Sequence, residues 1–250
     1  MTAVATAERV EDGPAWARPF LLMSGGVVAL AAVLAAARLP APDLTVWLEA
    51  VALAGSTVLL IAVAWWLTGR PGVVDRRIVL AWGLGSGAIL GALWLAEIAF
   101  NNLTPHSVST AAARGVLDNT TWAIVGLVTL AAAARVTART GRWRSGVRAG
   151  AWSGAGSGLA AAVGGALLVG LLRPHVERDP LMLAEWRSQG SGTGLAAYVA
   201  RETMAGVFGH LWALGVVQGA LLGLIAASVT AAVARSRRPG GRPVAAGDAE

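Results

Sequence analysis

The 250-residue chain has no cysteine and no lysine, and only 14% of its residues are charged. Without cysteine it can form no disulfide, thiolate nucleophile or cysteine metal site. Without lysine it has no phosphate-binding loop of the glycine-rich, lysine-containing type. Soluble domains carry about 25% charged residues. The low charge therefore excludes an ordinary soluble domain.

Apolar residues and 32 glycines make up most of the chain. A helix needs roughly 20 apolar residues to cross a bilayer core about 30 Å thick. The sequence predicts six such spans, at Pro19–Ala37, Leu44–Leu67, Ile78–Phe100, Asn119–Ala134, Gly150–Leu172 and Ala205–Ala234. We therefore predict an all-α, six-helix transmembrane bundle over residues 19–234. Residues 1–18 precede it as an N-terminal segment, and residues 235–250 follow as a disordered basic tail.

The arginines predict how this bundle is oriented. Short cytoplasmic loops retain positive charge, and 14 of the 20 arginines lie on one predicted side of the membrane. This pattern predicts that both termini are cytoplasmic, in a bacterial-type plasma membrane. The loop 173–204 is then outside, and Asp179-Pro180 predicts the start of a short helix within it. Because the arginines lie in short loops and not on one soluble face, we expect no nucleic acid binding.

Glycines recur every four residues in three of the spans. Residues four apart share one helix face, and a glycine face lets two backbones approach closely. Such glycine zippers indicate either plain helix packing or a smooth ridge along which helices slide. The predicted packing residues are Gly83, Gly87, Gly91, Gly150, Gly154, Gly158, Gly215, Gly219 and Gly223.

Ionisable residues inside membrane spans are costly and rare, so each is a candidate site residue. Those found here cluster toward the predicted outer side, where they would form an outward-facing polar vestibule for substrate binding or proton relay. Glu97 is the central candidate and is expected to pair with Arg201, Arg173 or His210 across the bundle. The alternative is that these groups cap helix ends in the headgroup layer. The full candidate set is Glu97, Glu49, Arg201, His210, Arg173 and Asp118.

The layout favours a transporter or permease subunit. The alternative is a non-catalytic membrane partner in assembly, signalling or lipid organisation. An intramembrane hydrolase would use Ser157 with His210, but Ala155 replaces the first glycine of the Gly-x-Ser-Gly pattern. No catalytic residue, metal or cofactor is predicted, because the histidines and Glu97 lack a helical ligand spacing. The predicted partners are the lipid bilayer and either a second copy or another membrane or cytosolic subunit.

Overall fold

The structure is a computed structural model that describes residues 75–189, 192, 194–206 and 214–236, with isolated positions between residues 26 and 62. Several predicted features lie outside the described residues. They are the N-terminal segment, nearly all of the first two spans, Glu49, His210 and the tail beyond Ser236.

The described residues form helices and contain no strand. The helices are α1 (Asp75–Leu103), α2 (Ala111–Thr140), α3 (Trp143–Val176), α4 (Pro180–Ser188), α5 (Leu195–Ala205) and α6 (Leu214–Ser236). Three segments of the described chain are long and apolar enough to cross a membrane: Arg76–Leu103, Ala111–Thr140 and Leu214–Ser236. The all-helical class is thus confirmed, and these segments have the length and composition of membrane-spanning helices.

The start of α2 corrects the predicted fourth span. The helix begins at Ala111 and not at Asn119, because the Thr110 side chain accepts a hydrogen bond from the Ala113 backbone N–H at 3.2 Å. This N-cap satisfies one of the free donors at the helix start. A count of apolar residues stops at the charge of Asp118, whereas the hydrogen-bonded helix continues past it.

α3 is the central helix, with α1, α2 and α6 packed along it. α1 runs parallel to α3 and approaches it through glycines. A methyl group at Gly83 would lie 2.9 Å from the Ala149 carbonyl oxygen, and one at Gly87 would lie 2.9 Å from the Ser153 carbonyl oxygen. Gly91 faces Ala160 one turn further along. Any side chain at these positions would separate the two helices.

α6 runs antiparallel to α3 and packs on it through a second set of glycines. A methyl group at Gly150 would lie 2.5 Å from the Gly219 carbonyl oxygen, and the reverse contact has the same distance. Gly154 faces Gly215 in the same way, and Gly215 also lies against Gly158. Here the two backbones touch directly, with no side chain between them.

The short helices α4 and α5 follow the end of α3. Asp179 caps α4 by accepting a hydrogen bond from the Leu181 backbone N–H at 2.9 Å, and Pro180 occupies the first turn. The predicted short helix after Asp179-Pro180 is therefore confirmed. α5 packs against the end of α3 through Val199, which contacts Leu168 and Val176 in one buried apolar cluster.

The alternating helix directions produce two ends of different charge. The basic end joins the starts of α1 and α3 to the ends of α2 and α6. Among the described residues of this end, Asp75 is the only acidic one, and the arginines are Arg76, Arg77, Arg135, Arg139, Arg142, Arg144, Arg148 and Arg235. The mixed-charge end holds the opposite helix termini with α4 and α5. Its charged residues are Arg114, Arg173, Arg178, Arg187, Arg201, Glu97, Asp118, Glu177, Asp179, Glu185 and Glu202.

Candidate functional site

Glu97 is a buried carboxylate near the end of α1. Its side chain is 6% exposed, and its Oε1 accepts a hydrogen bond from Asn101 Nδ2 at 3.0 Å. The two residues lie one turn apart on the same helix face. Glu97 Oε2 and Asn101 Oδ1 are buried and have no hydrogen-bond partner among the described residues. Buried polar atoms are nearly always hydrogen-bonded, so two free acceptors side by side mark this position as unusual.

A cavity of about 570 Å³ lies beside Glu97, between α1 and α2. We call it the Glu97 cavity. The walls that the described residues form are almost wholly apolar, and among those residues Thr120 is the only other one with a polar side chain. The Thr120 hydroxyl already donates to the Val116 carbonyl oxygen at 2.7 Å. The lining residues are Leu93, Ala96, Glu97, Phe100, Ala112, Ala113, Val116, Leu117 and Thr120.

Asp118 lies on α2 and acts electrostatically on Glu97 as a second negative charge. The structure thus brings together two of the predicted site residues, Glu97 and Asp118, at the mixed-charge end. A carboxyl group with a free, buried oxygen in an apolar setting offers a strong hydrogen-bond acceptor. Such a site favours a cation or a hydrogen-bond donor over an anion.

The two predicted arginines of the site have acidic partners close to them in sequence. Arg173 Nε lies 3.1 Å from Glu177 Oε1, and Arg201 Nη2 lies 3.4 Å from Glu202 Oε1. Arg201 also lies over the Tyr198 ring, 5.9 Å from its centroid. Of the partners expected for Glu97, Arg173 and Arg201 thus pair locally, and His210 lies outside the described residues. Glu97 Oε1 accepts a local hydrogen bond from Asn101.

An ion pair that the sequence did not predict joins α2 to α4. Arg114 Nη1 donates to Asp179 Oδ2 at 2.5 Å, and both side chains are mostly buried. Arg114 Nε also donates to Ser109 Oγ at 2.7 Å. The sequence placed Arg114 in a loop, and no spacing rule connects it to a residue 65 positions away.

Three further interhelical contacts were not predicted. Ser86 Oγ on α1 donates to Ser153 Oγ on α3 at 2.9 Å, and Thr129 Oγ1 on α2 lies 3.2 Å from the same Ser153 oxygen. All three hydroxyl groups are buried. Trp94 and Trp122 form a T-shaped pair with ring centroids 4.8 Å apart. The serines that lie among the glycines of the glycine zippers are the sequence feature from which this hydroxyl network could have been predicted.

The hydrolase alternative pairs Ser157 with His210, and His210 lies outside the described residues. Ser157 Oγ is buried and donates to the Gly154 carbonyl oxygen at 3.1 Å, within its own helix. Within residues 75–189, 194–206 and 214–236, no three His, Asp or Glu side chains are grouped so as to hold a metal ion.

No protein-family model, curated protein or solved structure matches this chain.

Proposed function

We propose that the protein is a multi-pass transporter or permease subunit of the plasma membrane in which the Glu97 cavity binds the solute. In this proposal all six predicted spans form the bundle and both termini are cytoplasmic. The basic end then faces the cytoplasm and the mixed-charge end faces outward. The excess of arginine at the basic end supports this orientation, because cytoplasmic loops retain positive charge.

The observation that carries the proposal is the free Oε2 of a buried carboxylate beside an apolar cavity. Ionisable groups within membrane spans are costly, and those that persist are usually functional. Glu97 has a neutral amide as its hydrogen-bond partner, and among the described residues no cation pairs with it. A cationic solute would supply the missing positive charge.

The cavity also indicates the class of solute. Its volume of about 570 Å³ is within the range of roughly 300–1,000 Å³ common for sites that bind small organic molecules. With a single free polar group on its walls, it suits a mainly apolar molecule that carries one amine or other cationic group. The glycine zippers between α1, α3 and α6 would hold the rest of the bundle rigid around this site.

The proposal is tested by flux of an organic cation into liposomes that contain the full chain. Ethidium is a suitable probe because it joins a cationic centre to an apolar body. Glu97→Gln removes the charge while keeping the shape, and Glu202→Gln is the control because its carboxylate lies at the same end but outside the cavity. Loss of a charge-assisted hydrogen bond, about 1.5–3 kcal/mol, predicts flux lowered about 10- to 100-fold at low ethidium concentration for Glu97→Gln.

Equal flux through folded wild type and Glu97→Gln would contradict the proposal. If the folded wild type carries no ethidium and Glu97→Gln instead loses a co-purifying membrane protein, the non-catalytic partner role replaces transport. Circular dichroism and gel filtration establish folding for each variant.

A further inference from the structure

A second cavity lies between α1 and α2, at the basic end of the bundle. Its volume is about 590 Å³, and its lining includes Trp82, Ile89, Val128, Ala132 and Arg135. We call it the Trp82 cavity. Ser86 also lines it, but the Ser86 hydroxyl already donates to Ser153. Apart from Arg135 and the Trp82 indole, the described lining therefore offers only apolar surface.

Two arginines surround the Trp82 ring. The guanidinium carbon of Arg135 lies 6.0 Å from the ring centroid, and that of Arg139 lies 5.5 Å from it. These distances allow cation–π attraction, which holds both guanidinium groups beside one another. Among the described residues neither arginine forms an ion pair with a carboxylate, and both are exposed. Their hydrogen-bond donors are available to a ligand.

The depth of this arrangement matches the headgroup layer of a membrane. Arg139 is one residue from the end of α2, and Trp82 is six residues from the start of the Arg76–Leu103 span. At 1.5 Å per residue, Trp82 lies about 9 Å inside that helix end. Tryptophan and arginine are both common at this interface. The apolar cavity continues from there toward the membrane interior, along Ile89 and Val128.

We propose that the Trp82 cavity binds one acidic glycerophospholipid, with an acyl chain in the cavity and the headgroup phosphate on Arg135 and Arg139. Guanidinium groups bind phosphate through two parallel hydrogen bonds. The surrounding basic end adds to the attraction of an anionic headgroup, and basic pockets between membrane helices are known lipid sites. The Glu97 cavity, whose described lining holds the Glu97 carboxylate and no arginine, has the opposite preference, so the site is independent of the proposed transport.

The test is a titration of the purified full chain in neutral detergent with phosphatidylglycerol, followed by native mass spectrometry. The same titration with phosphatidylcholine and with inorganic phosphate separates an acidic lipid from a neutral lipid and from a free anion. We expect one phosphatidylglycerol to remain bound at concentrations at least about tenfold below those needed for phosphatidylcholine. Inorganic phosphate at equal concentration should not displace it.

Two variants and a matched control locate the site. Arg135→Gln with Arg139→Gln should weaken phosphatidylglycerol binding about 30-fold, the combined effect of two arginines at a membrane surface. Arg144→Gln with Arg148→Gln removes the same charge from the basic end and should leave binding within about threefold. Ile89→Trp keeps all arginines, fills an exposed part of the cavity, and should also weaken binding.

Four results would overturn the proposal. If both double arginine variants lost phosphatidylglycerol affinity equally, the lipid would be attracted diffusely to the basic end and would have no specific site. If phosphatidylcholine bound with equal affinity, or if inorganic phosphate displaced phosphatidylglycerol, an acidic lipid would be excluded as the specific ligand. Unchanged phosphatidylglycerol binding by Ile89→Trp would show that the cavity does not hold the acyl chain. Because this variant keeps all arginines, it tests the proposal even if the double arginine variant does not fold.

Discussion

Gly150 on α3 and Gly219 on α6 are in direct backbone contact, so that a methyl group on either would lie 2.5 Å from the carbonyl oxygen of the other. That distance is well inside van der Waals contact, and the obstructing atom is backbone, which cannot rotate away. The two helices can therefore keep this separation only while both positions are glycine.

Gly150→Ala should destabilise the bundle. Overpacking of a tight contact costs about 1–3 kcal/mol, and we expect the free energy of unfolding in detergent to fall by that amount. Gly115→Ala is the control, because Gly115 lies in α2 with no atom within 4 Å of the added methyl group. That change should leave stability equal or raise it by up to about 1 kcal/mol, from helix propensity. Similar destabilisation by both would contradict the close contact.

Ser153→Ala should lower the free energy of unfolding, because the Ser153 side chain links α3 to α1 and α2. Its hydroxyl group accepts from Ser86 and contacts Thr129, so one substitution removes both interhelical contacts. Hydrogen bonds between membrane helices contribute about 0.6 kcal/mol each on average, and we expect a loss of about 1 kcal/mol. Ser157→Ala, one turn later, removes only a bond within α3. A loss in Ser157→Ala as large as in Ser153→Ala would show that the network contributes nothing.

Substitutions of Asp179 should separate its two roles. Asp179→Asn keeps an N-cap side chain for α4 but loses the ion pair with Arg114, whereas Asp179→Ala loses both. An N-cap contributes about 1 kcal/mol, and a hydrogen bond to a charged group about 1.5–3 kcal/mol. The alanine variant should therefore be less stable than the asparagine variant by about 1 kcal/mol in thermal unfolding. Equal stability of the two variants would exclude a capping contribution.

Tyr198 should make stability depend on alkaline pH. Burial raises the pKa of its phenol above the ordinary value of 10.0, Glu185 and Glu202 add to the rise, and Arg201 opposes it. Above that ordinary value the unfolded chain loses the proton while the folded chain keeps it. Stability from this group is then lost as pH rises past 10. Tyr198→Phe should flatten the stability curve above this pH, and an unchanged slope would show that the phenol is not buried.

The sequence predicted the helices better than their contacts. Apolar runs placed α1 and α3 because length and hydropathy are properties of the chain alone. The start of α2 was missed because Arg114 and Asp118 interrupt the apolar run, while the Thr110 cap and the Arg114–Asp179 pair stabilise the helix beyond it.

The candidate site was predicted in part. Glu97 was recognisable as a lone acid after an apolar run, and Asn101 lies at the spacing of a helix neighbour. Arg173 was expected to reach Glu97, but Glu177 lies four residues further on, directly after the end of α3, and a local pair needs no crossing of the bundle. The two cavities arise from the separation of α1 and α2, which no residue pattern specifies.

The most direct measurement is protection of a single cysteine in the Glu97 cavity by ethidium. Because the natural chain has no cysteine, Ala113→Cys places one thiol on the cavity wall, and Gly115→Cys places a control thiol on the same helix outside it. At ethidium concentrations ten times Kd, we predict that labelling of the cavity thiol by a water-soluble maleimide slows about tenfold. Labelling of the control thiol should not change, and Glu97→Gln should remove the protection. Equal labelling of the cavity thiol with and without ethidium, or full protection in Glu97→Gln, would contradict solute binding at Glu97.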